Sequence, residues 1–247
     1  MTYRLDLRGR TVLVIGALGT IGSAITDTVR AANGDVIRAD VSFPQGILEE
    51  GQIALDATQY SSVQSTFQEL RGKITDIVST VGMLATGNVR DIDTDHTDQV
   101  IKVNLVAQLY VLSEGLKCLP EGGTITVLSS QAAQHGAAGW GLYSATKSAL
   151  IRLVESAAKE EGASGIRVNA IAPGSVDSPM MERVIAEAAL RTEVSESEIR
   201  ARYKASSPRG RMVRPQEIAN TVGFLISPLS EFISGQCIII DGGEGPA

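Results

Sequence analysis

TVLVIGALGTIG, residues 11–22, sets the reading of the whole chain. Its first part, Thr11 to Ile15, is a short β-branched run between the charged Arg8 and Arg10 and the turn residue Gly16. A strand covered on both faces loses the polar/apolar alternation of a half-exposed one, so this run reads as a buried parallel strand. Glycines follow at 16, 19 and 22, and a helical pattern then continues through Ile25 and Val29 to Ala32. Strand, glycine turn and helix in that order allow a close backbone approach. They also aim the free N–H groups and positive end of the helix at an anion. A tight turn needing positive φ would also use glycine. In this setting the spacing favours a dinucleotide pyrophosphate, with Gly16, Leu18, Gly19, Thr20 and Ile21 as candidate contacts.

The next segments repeat the pattern. Asp35 to Ala39 reads as a second strand closing at Asp40. An acid about 20 residues beyond a glycine turn is expected to accept from the adenosine ribose hydroxyls and to repel a 2′-phosphate. Aspartate also opens turns, which is the plainer role for Asp40. Alternation puts Arg38 on the same face, but the glycine turn itself carries no Lys or Arg. NAD is therefore expected, with NADP as the other candidate. Residues 41–51 contain Pro44, Gly46 and Gly51 and leave room for a short turn only. Ile53 to Leu55 is the third strand; the Asp56 and Ala57 that follow can meet the adenine side. A helix over 59–70 leads to a fourth strand, Asp76 to Ser79, and then Thr80, Val81 and Gly82.

Residues 91–98, DIDTDHTD, suit the start of a long helix running through Val100, Val103, Val106, Leu109 and Leu112, because acids favour the positive end. Asn104 within it is out of place, since asparagine is a poor mid-helix residue. It is either an exposed polar residue or the holder of a kink and a water. Gly123 to Leu128 is the fifth strand, ending at Ser129 and Ser130, and the loop QAAQHGAAGWG leads to a helix reaching about Glu161. That helix carries Tyr143 and Lys147. Four residues apart, they share one face. An ammonium one turn from a phenol favours the phenolate and pulls its pKa down from about 10. A tuned tyrosine of that kind can exchange a proton with an alcohol or ketone oxygen. Trp140 and the loop residue His135 stand near enough to wall a substrate pocket, or simply to pack and be exposed. Ile166 to Ile171 is the sixth strand, followed by Pro173 and Gly174. Residues 177–212 mix charges with short apolar stretches, as a mobile lid does. Pro215 opens a helix to about Ile226, and Gln236 to Ile240 is the last strand. Strands and helices alternate throughout, which predicts one α/β domain over 1–247 built on a doubly wound parallel sheet. Ligands of such sheets sit at the strands' carboxyl ends.

Composition narrows the function. The 247 residues carry a net charge of −6 and no strongly basic stretch, so no nucleic-acid partner is expected. Cys118 and Cys237 are far apart in apolar surroundings and read as reduced thiols. The two histidines, His96 and His135, show no metal-ligand spacing. MTYRLDLRGR is charged and unlike a secretory leader, and no apolar run suits a bilayer. A soluble, cytoplasmic protein with no membrane partner is expected.

Over nearly its whole length this ordered set resembles the short-chain dehydrogenase/reductase family. The matching residues are Gly16 to Gly22, Asp56, Asn104, Ser130, Tyr143 and Lys147, followed by Pro173-Gly174 with Val176 and Ser178. Ser234-Gly235-Gln236 and Asp241-Gly242-Gly243 complete the match. Two positions differ from the pattern. Thr20 stands where chains of this length usually carry the middle glycine, and Ser79-Thr80-Val81-Gly82 replaces Asn-Asn-Ala-Gly. The resemblance implies a Rossmann-type, seven-stranded parallel sheet and hydride transfer between a nicotinamide cofactor and a secondary alcohol or ketone. By the same resemblance, Tyr143 is the general acid/base, and Lys147 lowers its pKa and holds the nicotinamide ribose. Ser130 bonds the substrate oxygen, and Asn104 anchors a water for proton release. Pro173, Gly174, Val176 and Ser178 would hold the nicotinamide end; Asp56, Ala57, Thr80, Val81 and Gly82 would line the rest of the cofactor site. A homotetramer built through the long fourth and fifth helices and the last strand is implied as well. Two other readings share the scaffold. One is an NADPH-dependent 3-oxoacyl-thioester reductase whose basic residues from Arg191 to Arg211 meet an acidic carrier protein. The other is a dinucleotide sensor without turnover.

Overall fold

The computed structural model describes residues 5–44, 51–91 and 93–245. The strands are β1 (Thr11–Ile15), β2 (Asp35–Asp40), β3 (Gln52–Ala54), β4 (Asp76–Ser79), β5 (Thr124–Leu128), β6 (Arg167–Pro173) and β7 (Cys237–Ile240). They form one parallel sheet in the order β3-β2-β1-β4-β5-β6-β7. The order reverses between β1 and β4, the crevice where doubly wound sheets take their ligands.

The buried run in β1 serves both faces at once. Leu13 and Ile15 join a core with Phe67, Val111 and Val154, under α2 (Tyr60–Leu70), α4 (Ala107–Cys118) and α5 (Gly141–Glu160). Val12 and Val14 point the other way, against Ile25, Val29 and Val222 of α1 (Thr20–Ala31) and α8 (Pro215–Ile226). Period-2 geometry with apolar residues on both sides explains why the sequence shows no alternation there. Gly115 lets α4 lie directly on the sheet: a Cβ on it would come within 2.7 Å of the Ile77 side chain.

Three boundaries differ from the sequence reading. β3 begins one residue earlier than expected, and β6 runs on to Pro173 in register with Ile240. The expected single helix over the 94–118 region is broken. α3 (Thr94–Ile101), capped by the Asp93 carboxylate on the His96 N–H at 2.8 Å, passes into a π-helical turn over Lys102–Val106 before α4. Residues 177–212 form α6 (Pro179–Thr192) and α7 (Glu196–Ser206), which share a small core of Met181, Val184, Ile185 and Ile199. The short-turn reading of 41–51 falls mostly on 45–50, and part of the leader reading on 1–4; both ranges lie outside the described residues. Among the described residues both cysteines are free, and no helix is long and apolar enough to cross a membrane.

Candidate active site

The carboxyl ends of the strands open into a cavity of about 910 Å³. On its β1 side the glycine turn is held by backbone contact. Gly16 has φ +80°, and a Cβ there would lie 2.6 Å from the Thr80 hydroxyl. A Cβ on Gly22 would lie 2.2 Å from the Gly16 carbonyl oxygen. Gly19 is different: it caps α1 at φ −70° and makes no side-chain cap bond. Thr20 is the first residue of α1, so the shifted glycine spacing leaves the helix start intact. Leu18, Gly19, Thr20 and Ile21 all line the cavity, where the first N–H groups of a helix have no partner of their own. The turn, bare of side chains at Gly16 and Gly22, fits a pyrophosphate.

Thr80 takes over part of the work of the replaced asparagine. Its hydroxyl donates to the Ile15 and Gly16 carbonyls at 3.0 and 3.1 Å, tying the end of β4 to the glycine turn. The next residue, Val81, is held through its carbonyl by the buried Gln108 amide at 2.8 Å. Asp40 plays both of its expected parts. One carboxylate oxygen accepts from the Ser42 N–H at 2.9 Å, which is the turn, and the other from the Leu18 N–H at 3.0 Å, which binds β2 to the glycine loop. It also lines the cavity, as do Asp56 and Ala57; the Asp56 carboxylate accepts from the Thr58 N–H at 2.9 Å. Arg38 leans over the Phe43 ring, 5.6 Å from its centroid, and is not part of the cavity wall.

Ser130, Tyr143 and Lys147 meet at the other side of the same cavity. Ser129 and Ser148 fix α5 to the end of β5, donating to the Lys147 and Ala133 carbonyls at 2.9 and 2.7 Å. Lys147 is 3% exposed, and its Nζ donates to the Leu128 carbonyl at 2.9 Å. Burial lowers its pKa to about 8. Burial likewise pushes the Tyr143 phenol above its ordinary value, and the hydrogen bond with Ser130 pulls it partly back. This corrects the expectation that Lys147 would depress the tyrosine. Lys147 Nζ lies 5.8 Å from the Tyr143 ring centroid and is itself poorly solvated, so desolvation dominates both groups. Gly82 closes the back: a Cβ there would stand 3.1 Å from Lys147 Nζ.

Asn104 is the one predicted site residue that does not line the cavity. It is fully buried, accepting from the Met83 N–H at 2.7 Å and donating to the Met83 carbonyl at 3.0 Å and to Thr146 at 3.4 Å. With its amide committed, the side chain acts as a clamp on the Met83 loop. The kink reading is the one realised, as the π turn. Pro173, Gly174, Val176 and Ser178 do line the cavity; Ser178 also caps α6, accepting from the Met181 N–H at 3.3 Å. Trp140 both packs and walls: it sits edge-on to Tyr143 with centroids 5.7 Å apart, and it touches the α6–α7 core. His135 lines the cavity with its Nδ1 buried and unpaired. The sequence reading missed Met83, Gln131, Tyr203 and Glu244. Gln131 adjoins Ser130, which is a usable signal, whereas Glu244 arrives from the far end of the chain.

A family model described as enoyl-(acyl carrier protein) reductase matches residues 16–244. A short-chain type dehydrogenase/reductase of Sinorhizobium fredii is 33% identical over 248 residues, 95% of this chain, although the chain spans only 43% of that relative. The 2,3-dihydro-2,3-dihydroxybenzoate dehydrogenase of Escherichia coli is 30% identical over 97% of this chain and 98% of its own. The crystal structure of a short chain dehydrogenase family protein from Francisella tularensis superposes with a TM-score of 0.85 at 27% identity, covering 95% and 98% of the two chains. The chain belongs to the short-chain dehydrogenase/reductase family and is an NAD(P)-dependent oxidoreductase.

Proposed function

We propose that the protein transfers a hydride between NAD and a secondary alcohol or ketone, with Ser130, Tyr143 and Lys147 as the reacting site. The observation that carries this is their placement in one cavity with the glycine turn of α1. Gly16, Leu18, Gly19, Thr20 and Ile21 would hold the pyrophosphate. Asp40 would hold the adenosine ribose, and Asp56, Ala57, Thr80, Val81 and Gly82 the remaining cofactor wall. Pro173, Gly174, Val176 and Ser178 would take the nicotinamide end. The bound dinucleotide supplies the hydride acceptor or donor.

The chain's own residues handle the proton. Tyr143 gives its phenolic proton to a ketone oxygen or removes one from an alcohol, and Ser130 holds that oxygen in place. Lys147, fixed on the Leu128 carbonyl, keeps donors for the nicotinamide ribose hydroxyls. A proton relay through water would use the backbone of the π turn, since the Asn104 side chain is spent on Met83.

Asp40 on the cavity wall supports NAD over NADP, because its charge opposes a 2′-phosphate while Arg38 lies against Phe43. The 3-oxoacyl-thioester reading draws little support from the lid. Arg200 pairs with Glu182, Arg202 with Glu198 at 2.8 Å and Arg211 with Glu217 at 2.6 Å, so these cations are already engaged. We read residues 1–247 as one cytoplasmic domain with 177–212 as its lid. A homotetramer would cover Leu109 on α4 and Ile239 on β7, which are 45% and 46% exposed. The deciding experiment is a dehydrogenase and reductase screen with NAD(H) and NADP(H) over cyclic ketones, polyols and 3-oxoacyl thioesters. Turnover of alcohols or ketones with NADH preferred is expected; a strong NADPH preference or thioester specificity would overturn the reading.

A further inference from the structure

Beyond β7 the chain reads Asp241-Gly242-Gly243-Glu244-Gly245. Asp241 gathers this tail, its two carboxylate oxygens accepting from the Gly243 and Gly245 N–H groups at 2.8 and 2.9 Å. Gln131, next to Ser130, donates to the Gly245 carbonyl at 2.7 Å. The tail is thereby strapped across the end of β6. A Cβ on Gly174 would come 3.0 Å from Asp241 Cβ and 3.1 Å from Glu244 Oε2. Glu244 is half-buried and lines the same cavity as Ser130 and Tyr143. Among the described residues it makes no hydrogen bond or ion pair.

The surrounding wall is mostly apolar, with Met83, Leu84, Trp140, Met181 and Val184. Tyr203 lies close to the carboxylate: its phenol is raised chiefly by burial, and Glu244 adds to the rise. A carboxylate held against apolar surface without a partner costs desolvation unless a bound molecule supplies a donor. When ionised it can only accept hydrogen bonds.

We propose that Glu244 is a specificity-determining residue that accepts a hydrogen bond from a second hydroxyl of the substrate. The favoured substrates are neutral vicinal diols and hydroxyketones on a small apolar frame. The ring or chain rests on the apolar wall, the reacting oxygen meets Ser130 and Tyr143, and the neighbouring hydroxyl meets Glu244. Substrates with an anion at that end are repelled. The proposal rests on the hydride-transfer reading of the site.

Trp140 is the chain's one tryptophan and lines the cavity, so its emission reports binding without turnover. The test titrates the full chain, with and without NADH, using cyclohexane-1,2-diol and cyclohexanol. It compares wild type with Glu244→Gln, Glu244→Ala and Glu244→Met. A hydrogen bond to a charged group predicts about tenfold tighter binding of the diol by wild type. That preference should be lost in Glu244→Ala and in the equally long Glu244→Met. Glu244→Gln, whose amide oxygen still accepts, should keep part of it. NAD-linked oxidation of the two probes should follow in kcat/KM. No diol preference in wild type, or one that survives in the Ala and Met variants, overturns the proposal. So does weaker NADH binding with the diol-to-alcohol ratio unchanged, which would assign the carboxylate to the cofactor. A Glu244-dependent preference with neither probe turned over would keep this proposal and sink the hydride-transfer reading. Turnover without the preference would do the reverse.

Discussion

Lys147 Nζ and the Leu128 carbonyl oxygen lie 2.9 Å apart, joining the middle of a helix to the last residue of the central strand β5. The bond fixes a nearly buried ammonium at the mouth of the sheet, where its charge is expensive to keep. A pKa of about 8 follows from that burial. Both its position and its proton matter to ligand binding.

Dinucleotide affinity should therefore depend on pH. Below about 8 the lysine is charged and offers three donors; as pH rises through that value the charge is lost. Loss of a charge-assisted bond is worth about 1.5 kcal/mol, or roughly tenfold in Kd. NADH titrations between pH 6.5 and 9.5 should show affinity falling above 8 in wild type. Lys147→Met should bind weakly at every pH. A profile equally steep in both proteins would detach the effect from this lysine.

Tyr143→Phe removes one oxygen and leaves the packing against Trp140 in place. Turnover should drop by about 10²–10⁴-fold, the usual worth of a positioned acid or base. NADH binding should stay within about twofold of wild type, because the helix and Lys147 are held by Ser129 and Ser148. Substantial residual turnover would remove Tyr143 from the chemistry.

Two glycines of one turn should respond in opposite ways. Gly22→Ala places a Cβ 2.2 Å from backbone oxygen, which neither chain segment can yield cheaply. Overpacking of that kind costs about 3 kcal/mol, visible as a lowered Tm. Gly19→Ala meets the same oxygen at 3.3 Å and already has negative φ, so Tm should change little. Equal Tm values for the two variants would contradict this account of the turn.

Asn104→Ala leaves the Met83 N–H and carbonyl without their partner. Stranding buried backbone groups costs about 1–3 kcal/mol. Urea midpoints should fall accordingly, and KM for the carbonyl substrate should rise, because Met83 is part of the substrate wall.

Much of this was legible because it is local. The Thr11–Ile15 run is apolar on both faces, and the Tyr143–Lys147 spacing needs only one helical turn to bring both residues to the cavity. What escaped depends on contacts across the chain. Asn104 was visible as a misfit, but its partner Met83 is 21 residues away and contributes only backbone. The sign of the Tyr143 shift is set by burial, which no spacing reports. Glu244 reaches the cavity through a glycine-rich tail wound on Asp241, with no periodicity to announce it.

The π turn at Lys102–Val106 has a consequence for how this chain can change in length. An α-helix advances its side chains by about 100° per residue, so one added residue resets the phase of all that follows. Asn104 thus turns inward to Met83 while Val111 and Leu112 still face the sheet. Deleting any one residue from 102 to 106 would restore a regular ladder and swing α4 by that same angle. Gly115 would leave its seat on Ile77, and the polar clamp and the apolar stripe could no longer both be satisfied. This helix tolerates substitutions more readily than single-residue deletions.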